Sequence, residues 1–198
     1  MQNRGEELTT DQVIDEFKES VALLEGHFKL SSGLHSSVYL QCALVLQSPA
    51  TAEAFGRAIA ERYAGQQIEL VASPAIGGLI IGHEVARALG ARFIWTERQD
   101  GEMILRRGFT VRAGERVLVV EDVVTTGGST RETIVALQNA GANVIGAASI
   151  IDRSSGKADV GVARTSLASL DVKSFDPAEC ELCDRGIEVV KPGSRASK

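Results

Sequence analysis

The sequence predicts an α/β fold, a parallel sheet flanked by helices, and three observations support this class. Apolar runs typical of buried strands, at 68–72, 91–96, 117–120 and 143–151, alternate with segments of helical spacing. Polar, glycine-bearing turns follow several of these strands, at the sheet edge where ligands bind in such folds. The chain has 198 residues, of which 44% are hydrophobic, enough for one domain with a full core.

The elements follow in order from spacing and from turn residues. We predict two short strands over 27–43, joined by a Ser-Ser-Gly turn. A polar loop is predicted at 97–103, and a strand over 104–111 can pair with it. Beyond 151 we expect short strands, one short helix and a loose tail from Pro192. The predicted helices span 11–25, 49–63, 79–89 and 129–140, the last capped by Ser129 or Thr130.

Composition excludes several functional classes. The net charge of −5 argues against general nucleic-acid binding, because nucleic acids are themselves negatively charged. No apolar run approaches the roughly 18 residues of a membrane span, and the N-terminus lacks the apolar core of a signal peptide. The chain's three cysteines do not suggest a disulfide framework. We therefore predict a cytoplasmic protein without nucleic-acid or membrane partners.

The stretch 117–131, VLVVEDVVTTGGSTR, carries the strongest functional signal. Four apolar residues predict a buried strand, and the acidic pair Glu121 and Asp122 follows it. Hydroxyls and glycines come next, at the start of a helix whose free amides and dipole attract phosphate. The carboxylates can accept hydrogen bonds from sugar hydroxyls or lie near a cation. This pattern predicts a site for a phosphorylated, polyhydroxylated ligand.

Two commoner phosphate loops do not match this stretch. A Walker loop needs a lysine between the last glycine and the hydroxyl residue, and none is present. The G-x-G-x-x-G dinucleotide pattern is absent from it as well. The acids ahead of the Thr-Thr-Gly-Gly loop resemble instead the motif by which type I phosphoribosyltransferases bind 5-phosphoribosyl 1-pyrophosphate (PRPP).

Further segments narrow the resemblance to the orotate phosphoribosyltransferases. Gly26 to Gly33, the Ser-Pro-Ala-Ile-Gly-Gly turn at 73–78, the segment 97–109 and Ile151-Asp-Arg153 occur in that family's order. The C-terminal CELCDRGIEVVKPGSR is similar to the tail of one bacterial and archaeal branch. The resemblance covers about residues 10 to 195.

The resemblance implies a fold and a reaction. The fold is a type I phosphoribosyltransferase-like parallel sheet with a small hood subdomain, in a single domain spanning 1–198. The core covers about 49–154, and the hood about 1–48 plus part of 155–190. The implied reaction converts orotate and PRPP to orotidine 5′-phosphate and pyrophosphate, with Mg²⁺, in UMP biosynthesis. Homodimers with a shared active site are usual in the family.

Site residues are implied position by position. Glu121 and Asp122 face the ribose, where negative charge stabilises an oxocarbenium-like transition state, and Asp122 is the expected metal ligand. Arg98 is expected to contact pyrophosphate as a third catalytic group, and Ala75 and Gly77 to hold it on backbone amides. The remaining PRPP-binding residues lie in the motif: Val123, Val124, Thr125, Thr126, Gly127, Gly128 and Ser129.

Orotate is expected to contact Arg153, Thr125 and Lys29. A guanidinium suits the orotate carboxylate and ring carbonyl, although a salt bridge of Arg153 with Asp152 or Glu121 is the alternative. Lys29 stands in for a lysine that several relatives carry where this chain has Ser31. Phe28 is expected to pack in the core, or else to sandwich the pyrimidine with backbone near Tyr39.

The chain departs from the family pattern in two loops. Gly77 replaces a basic residue of many relatives, and residues 97–103 contain neither the lysines nor the histidine of familiar members. Arg106 and Arg107 are the other cations nearby, and they either substitute for these residues or flank a β-hairpin.

The histidines and cysteines predict no metal site within one chain. His27, His35 and His83 lack metal-ligand spacing, and Cys180-Glu-Leu-Cys183 is one CxxC pair without a histidine nearby in sequence. A packed thiol pair is the interpretation, with zinc bound between two copies as the alternative.

Two other functions remain open. One is a phosphoribosyltransferase for another base, such as a purine, which does not need a cation at Arg153. The other is a non-catalytic PRPP-binding regulator, which the shortened, lysine-free loop favours. Turnover with each base separates these possibilities.

Overall fold

A computed structural model describes residues 8–30 and 33–191 of the chain. They form two sheets, one of six strands in the order β5-β4-β3-β6-β7-β8 and one of three in the order β1-β2-β9. The strands of the larger sheet are β3 (Leu70–Pro74), β4 (Arg92–Gln99), β5 (Glu102–Leu105), β6 (Arg116–Val124), β7 (Asn143–Asp152) and β8 (Arg164–Ser169).

The larger sheet is parallel except at one edge, as the alternation of strands and helices predicts. β3 pairs in parallel with β4 and β6, and β7 with β6 and β8, while β5 is antiparallel to β4. Residues 117–120 of β6 are fully buried, which explains their unbroken apolar character. The strand continues through Val124, so Glu121 and Asp122 lie within it rather than after it.

Helices cover both faces of this sheet. The helices are α1 (Thr10–Glu19), α2 (Cys42–Leu46), α3 (Pro49–Arg62), α4 (Gly78–Leu89), α5 (Gly128–Asn139) and α6 (Glu181–Asp184). Side chains of α1 to α4 pack on the face that carries Leu118 and Val120. Ile134 and Leu137 of α5 pack on the opposite face, against Val117 and Val119. The alternating faces of β6 thus enter two separate cores. None of the helices among the described residues is both long and apolar enough to cross a bilayer.

The strand order places β3 beside β6 at the centre of the sheet. From β3 the chain passes through α4 to β4 on one side, and from β6 it passes through α5 to β7 on the other. The connections therefore diverge at the carboxyl ends of β3 and β6 and leave a crevice there, as at the switch points of other doubly wound sheets.

The smaller sheet is built from β1 (Leu23–Lys29), β2 (His35–Leu40) and β9 (Ser174–Phe175). Its strands are antiparallel, and Val190 adds to the free edge of β1 by pairing with Phe28. Segments from both ends of the chain therefore build this sheet.

The structure corrects several predicted boundaries. Helix α1 ends at Glu19 rather than near 25, because Val21 takes a left-handed conformation and the chain then enters β1. The predicted loop at 97–103 is mostly the β4–β5 hairpin, in which Asp100 and Gly101 both have positive φ and form a tight turn. Helix α2 was not predicted at all. The predicted tail from Pro192 lies outside the described residues.

The start of α5 also differs from the prediction. The helix begins at Gly128, and the residue before it, Gly127, has a φ of 78° and makes no side-chain cap. Neither Ser129 nor Thr130 caps the helix, because both lie inside its first turn. The amides of that first turn consequently point towards the loop without a capping side chain.

Candidate functional site

The end of β6 directs its two acids to opposite faces of the sheet. Asp122 lines a large cavity together with Tyr39 and Arg153, whereas Glu121 lines a small cavity at the start of α5. Asp122 Oδ1 accepts a hydrogen bond of 2.7 Å from the backbone N–H of Val123. One strand therefore supplies a carboxylate to each of two neighbouring cavities.

Burial makes both carboxylates reluctant to ionise in the free protein. The pKa of Glu121 is raised well above its ordinary value, first by burial and then by the charge of Asp122. Burial likewise raises the pKa of Asp122, against the hydrogen bond from the Val123 amide. Glu121 Oε2 is buried and has no hydrogen-bond partner among the described residues. Such a pair favours a cationic or hydroxyl-bearing ligand.

The loop after β6 forms the smaller cavity, of about 100 Å³. Thr125 and Thr126 are exposed in it, and the Gly128 N–H contacts Thr126 Oγ1 at 3.4 Å. Gly127 must be glycine here, because a Cβ atom would lie 2.8 Å from Val160 Cγ1 and its φ is positive. Free amides at the start of a 12-residue helix make this loop suitable for phosphate.

The turn after β3 contacts the acids of β6 directly. A Cβ atom on Gly77 would lie 2.8 Å from both carboxylate oxygens of Asp122, so a side chain at this position would require that carboxylate to move. The Ala75 N–H donates to the Thr96 carbonyl at 2.9 Å, and the Ala75–Ile76 peptide bond is cis. The backbone of this turn thus lies against Asp122 at the start of α4.

The larger cavity, of about 620 Å³, lies between the two sheets. It shares Val123, Thr125, Thr126 and Ser129 with the smaller cavity, so the two form one continuous site. The smaller sheet and the segments beside it contribute the wall opposite β6. The residues that line the larger cavity are Leu30, Leu34, Tyr39, Leu40, Asp122, Val123, Thr125, Thr126, Ser129, Arg153 and Ser174.

Arg153 brings a half-buried cation to this cavity. Its backbone N–H donates to the Val124 carbonyl at 2.8 Å, and Nη2 donates to Ser36 Oγ at 3.2 Å. Its Nε atom is buried without a hydrogen-bond partner among the described residues. Burial lowers the pKa of Arg153, although the charge of Tyr39 opposes this.

The alternative role considered for Arg153, a salt bridge, is not formed within the described part of the chain. Asp152 pairs instead with Arg164, at 3.0 Å. A half-buried guanidinium that lacks a carboxylate partner is available to an anionic or carbonyl-bearing ligand.

Sequence reasoning missed other residues of the cavity wall. Ser36 is fully buried and pairs with Ser174 of β9, which reaches the cavity from far along the chain. The Tyr39 side chain also lines the cavity, and its pKa is raised by burial and by Asp122. Only the alternation of β2 could have indicated Tyr39, and no local signal marks Ser174. Phe28 packs against the Tyr39 ring at 5.7 Å and is absent from the lining.

Two expected contacts lie away from the cavities. Arg98 donates to the Gly101 carbonyl at 2.6 Å and pairs with Glu132 of α5, and it lines neither cavity. Lys29 is exposed at the end of β1 and is likewise absent from both linings. The contacts of Arg98 with pyrophosphate and of Lys29 with orotate stay predictions. Arg106 and Arg107 both pair with Glu97, beside the hairpin.

The fold brings histidines to the cysteine pair, which their spacing in the sequence did not indicate. No histidine is near Cys180-Glu-Leu-Cys183 in sequence, but the fold brings His27 and His35 to this pair. The ligand atoms of the four side chains all lie within 4.8 Å of one another. The cluster lies outside both cavity linings.

Replacing Glu121 with glutamine is expected to stabilise the ligand-free protein in a pH-dependent way. Because the folded-state pKa of Glu121 is raised, wild type loses stability as pH rises from the ordinary value of 4.5 through the folded pKa. Glutamine does not ionise, so the advantage of Glu121→Gln should be small below pH 4.5 and grow towards neutral pH. Urea unfolding across pH measures this advantage, with the exposed Glu61→Gln as control. An advantage that is equal at every pH would contradict the assignment.

Comparisons with known proteins agree with this geometry. A model of the phosphoribosyl transferase domain matches residues 43–176. The orotate phosphoribosyltransferase of Pelotomaculum thermopropionicum is 50% identical over 188 residues, which cover 95% of this chain and 99% of that protein. The corresponding enzyme of Carboxydothermus hydrogenoformans is 52% identical over 181 residues, covering 90% and 95%.

A solved structure extends the likeness to the fold. The crystal structure of orotate phosphoribosyltransferase from Aeropyrum pernix matches with a TM-score of 0.65 and 28% identity, covering 80% of this chain and 93% of that one. The expected type I fold, a mostly parallel sheet flanked by helices, is confirmed. By sequence and by structure, the chain belongs to the phosphoribosyl transferase family and, within it, to the orotate phosphoribosyltransferases.

Proposed function

We propose that this chain transfers the 5-phosphoribosyl group of PRPP to N1 of orotate, giving orotidine 5′-phosphate and pyrophosphate in de novo UMP biosynthesis. The observation that carries the proposal is Arg153, a half-buried cation whose buried Nε atom has no hydrogen-bond partner and whose guanidinium has no carboxylate partner among the described residues, in the cavity that also contains Asp122. An anionic base is the substrate that compensates such a charge. Relatives of about half identity over nearly the whole chain support the same substrate.

PRPP is proposed to span the two turns. Its 5′-phosphate would rest on the hydroxyls and amides of residues 125–129, at the start of α5. Its pyrophosphate would lie on the backbone of the turn at Ala75 and Gly77, which contacts Asp122. The ribose between them then faces Glu121 and Asp122, whose oxygens accept hydrogen bonds from its hydroxyls.

The protein would catalyse the transfer by alignment and charge. The N1–C1 bond forms as the bond from C1 to the pyrophosphate oxygen breaks. The electron pair of that bond leaves with pyrophosphate, and the proton on N1 of orotate is released to water or to pyrophosphate. Positive charge develops on the ribose in the transition state, next to the carboxylates of Glu121 and Asp122. No side-chain nucleophile is required, since the adjoining cavities would hold the two substrates in contact.

Magnesium is the proposed cofactor, and the residues present fit it. Mg²⁺ prefers oxygen ligands, and Glu121 Oε2 is a buried carboxylate oxygen with no partner in the described chain. Asp122, which lines the large cavity, would hold the ion, while Glu121 faces the smaller cavity from the same strand. When bound, Mg²⁺ neutralises the charge of the departing pyrophosphate.

We also propose a cytoplasmic homodimer with a shared active site. The support is the position of Arg98: it lies on the exposed β4–β5 hairpin at the sheet edge, outside the cavities of its own chain. A hairpin at an edge can extend to a second copy, where Arg98 would contact pyrophosphate after leaving Glu132. Closure of this hairpin would exclude water from the site.

Arg153→Ala is expected to lower kcat/KM for orotate about 100-fold, because two charge-assisted contacts are lost. PRPP affinity should change less than orotate turnover, since the Arg153 guanidinium bonds to Ser36 of the smaller sheet and to no residue of the phosphate loop. Orotate consumption is followed by its ultraviolet absorbance with PRPP and Mg²⁺. Arg57→Ala, which removes an exposed arginine, is the control. Equal loss in both variants would contradict the orotate contact.

The same assay separates the other two functions. Turnover of adenine, hypoxanthine or xanthine in place of orotate would retain the PRPP site and reject the orotate assignment. PRPP binding without turnover of any base would indicate a regulator.

Mixing two inactive variants tests the shared site. If Arg98 serves the partner's cavity, co-refolded Arg98→Ala and Arg153→Ala chains form heterodimers with one intact site, restoring about a quarter of wild-type activity. The control mixes Arg153→Ala with Asp122→Asn, whose residues line one cavity, and should restore nothing. If the mixture of Arg98→Ala with Arg153→Ala also restores no activity, Arg98 does not act across the interface.

A further inference from the structure

A second cluster of chemically capable side chains lies apart from the cavities, on the smaller sheet. His27 on β1 and His35 on β2 meet Cys180 and Cys183, which flank the first turn of α6. Each residue offers one ligand atom, and these atoms all lie within 4.8 Å of one another. Three of the four side chains are buried, and Cys183 is exposed. The cluster therefore has a closed interior and one open side.

The distances match a tetrahedral set of ligands. His27 Nε2 lies 3.5 Å from Cys180 Sγ and 3.8 Å from Cys183 Sγ, and His35 Nδ1 lies 3.3 Å from Cys183 Sγ. Ideal Zn–N and Zn–S bonds place nitrogen and sulfur about 3.6 Å apart in a tetrahedral site. The two nitrogens are 2.9 Å apart, and metal entry would separate them to about 3.3 Å.

A hydrogen bond already orients one of the histidines. His27 Nδ1 lies 2.7 Å from the Ile187 carbonyl oxygen, an acceptor, so Nδ1 carries the proton and donates it. In the neutral ring, Nε2 then presents its lone pair to the two sulfur atoms. Histidine ligands in metal sites are held in this way by a carbonyl or carboxylate on the other nitrogen.

We propose that His27, His35, Cys180 and Cys183 bind one Zn²⁺ ion as a structural Cys₂His₂ site. Two thiolates and two imidazoles are the donor set that zinc prefers, and four protein ligands leave no open position for catalysis. The site is separate from the carboxylates proposed for Mg²⁺, and its donors do not suit that ion.

The ion would fasten the end of the chain to the smaller sheet. Val190 already pairs with β1, donating to the His27 carbonyl at 2.8 Å and accepting from the Lys29 N–H at 2.9 Å. The same sheet carries Tyr39 and Ser174, which line the large cavity. Zinc would therefore join the β1–β2 pair to the segment of α6, which lies far along the chain, and hold one wall of the cavity in place.

Metal content tests the proposal independently of enzyme activity. Untagged protein, purified under reducing conditions and supplied with Zn²⁺ before desalting, should retain about one zinc per chain. Cys180→Ser and His35→Ala should each lose it. Cys42→Ala and His83→Ala remove a cysteine and a histidine outside the cluster and should retain it. Retention of zinc by the cluster variants would overturn the proposal.

Cobalt substitution and chelation are measured on the wild-type protein, so these tests do not depend on whether a variant folds. Wild type loaded with Co²⁺ should show tetrahedral d–d absorption and a thiolate charge-transfer band, and a chelator should lower its Tm. The doubly substituted C180S/C183S protein, if it folds, should show neither response. An octahedral spectrum without charge transfer, no binding by reduced protein, or a Cys180–Cys183 disulfide that persists in reductant would each overturn the proposal.

Discussion

The parallel pairing of β3 with β6 is the constraint on which the rest of the site depends. Leu70 pairs with Val117 and Ala72 with Val119, and all four side chains are buried. This register places the turn after β3 beside the acids at the end of β6, so closely that a side chain at Gly77 would displace the Asp122 carboxylate. If the pairing of β6 slipped by one residue, every side chain of the strand would move to the opposite face of the sheet, including the apolar side chains and both acids.

The negative and positive side chains of the site lie apart, and the two proposed substrates would bind between them. The buried carboxylate of Glu121 and the half-buried carboxylate of Asp122 lie at the sheet, and the half-buried guanidinium of Arg153 lies towards the smaller sheet, where it bonds to Ser36. Each is costly to bury alone, and each is opposite in charge to a part of the proposed ligands: the developing ribose cation and the orotate anion. The unsatisfied Glu121 Oε2 and Arg153 Nε are consistent with this arrangement.

Local signals in the sequence sufficed for the sheet and for the phosphate loop. The apolar run of β6, its acids and the Thr-Thr-Gly-Gly loop are contiguous, so their spacing alone predicts a strand, a turn and a helix. Boundaries failed where one residue decides the backbone, as at Val21, whose φ is 53°. The hairpin at 97–103 was missed because its polar residues are exposed on an edge strand, where alternation is weak.

Features assembled from distant segments could not be predicted. His27 and Cys180 are 153 residues apart, and no spacing rule relates them. Ser174 reaches the cavity only because β9 pairs with β2. The ion pair of Arg98 with Glu132 likewise depends on the packing of α5 beside the hairpin. Tertiary contacts of this kind have no counterpart in local periodicity.

The most direct test of the central contact between the two turns is the PRPP affinity of the Gly77→Ala variant. Titration calorimetry with Mg²⁺ measures this affinity and compares it with that of wild type. The new methyl group would lie 2.8 Å from the Asp122 carboxylate, so we expect at least tenfold weaker binding, about 1.4 kcal/mol. Gly56→Ala is the matched control: its methyl group would lie 2.5 Å from Glu84 Cβ, between α3 and α4, and should lower Tm without changing PRPP affinity. Unchanged PRPP affinity in folded Gly77→Ala protein would contradict the account.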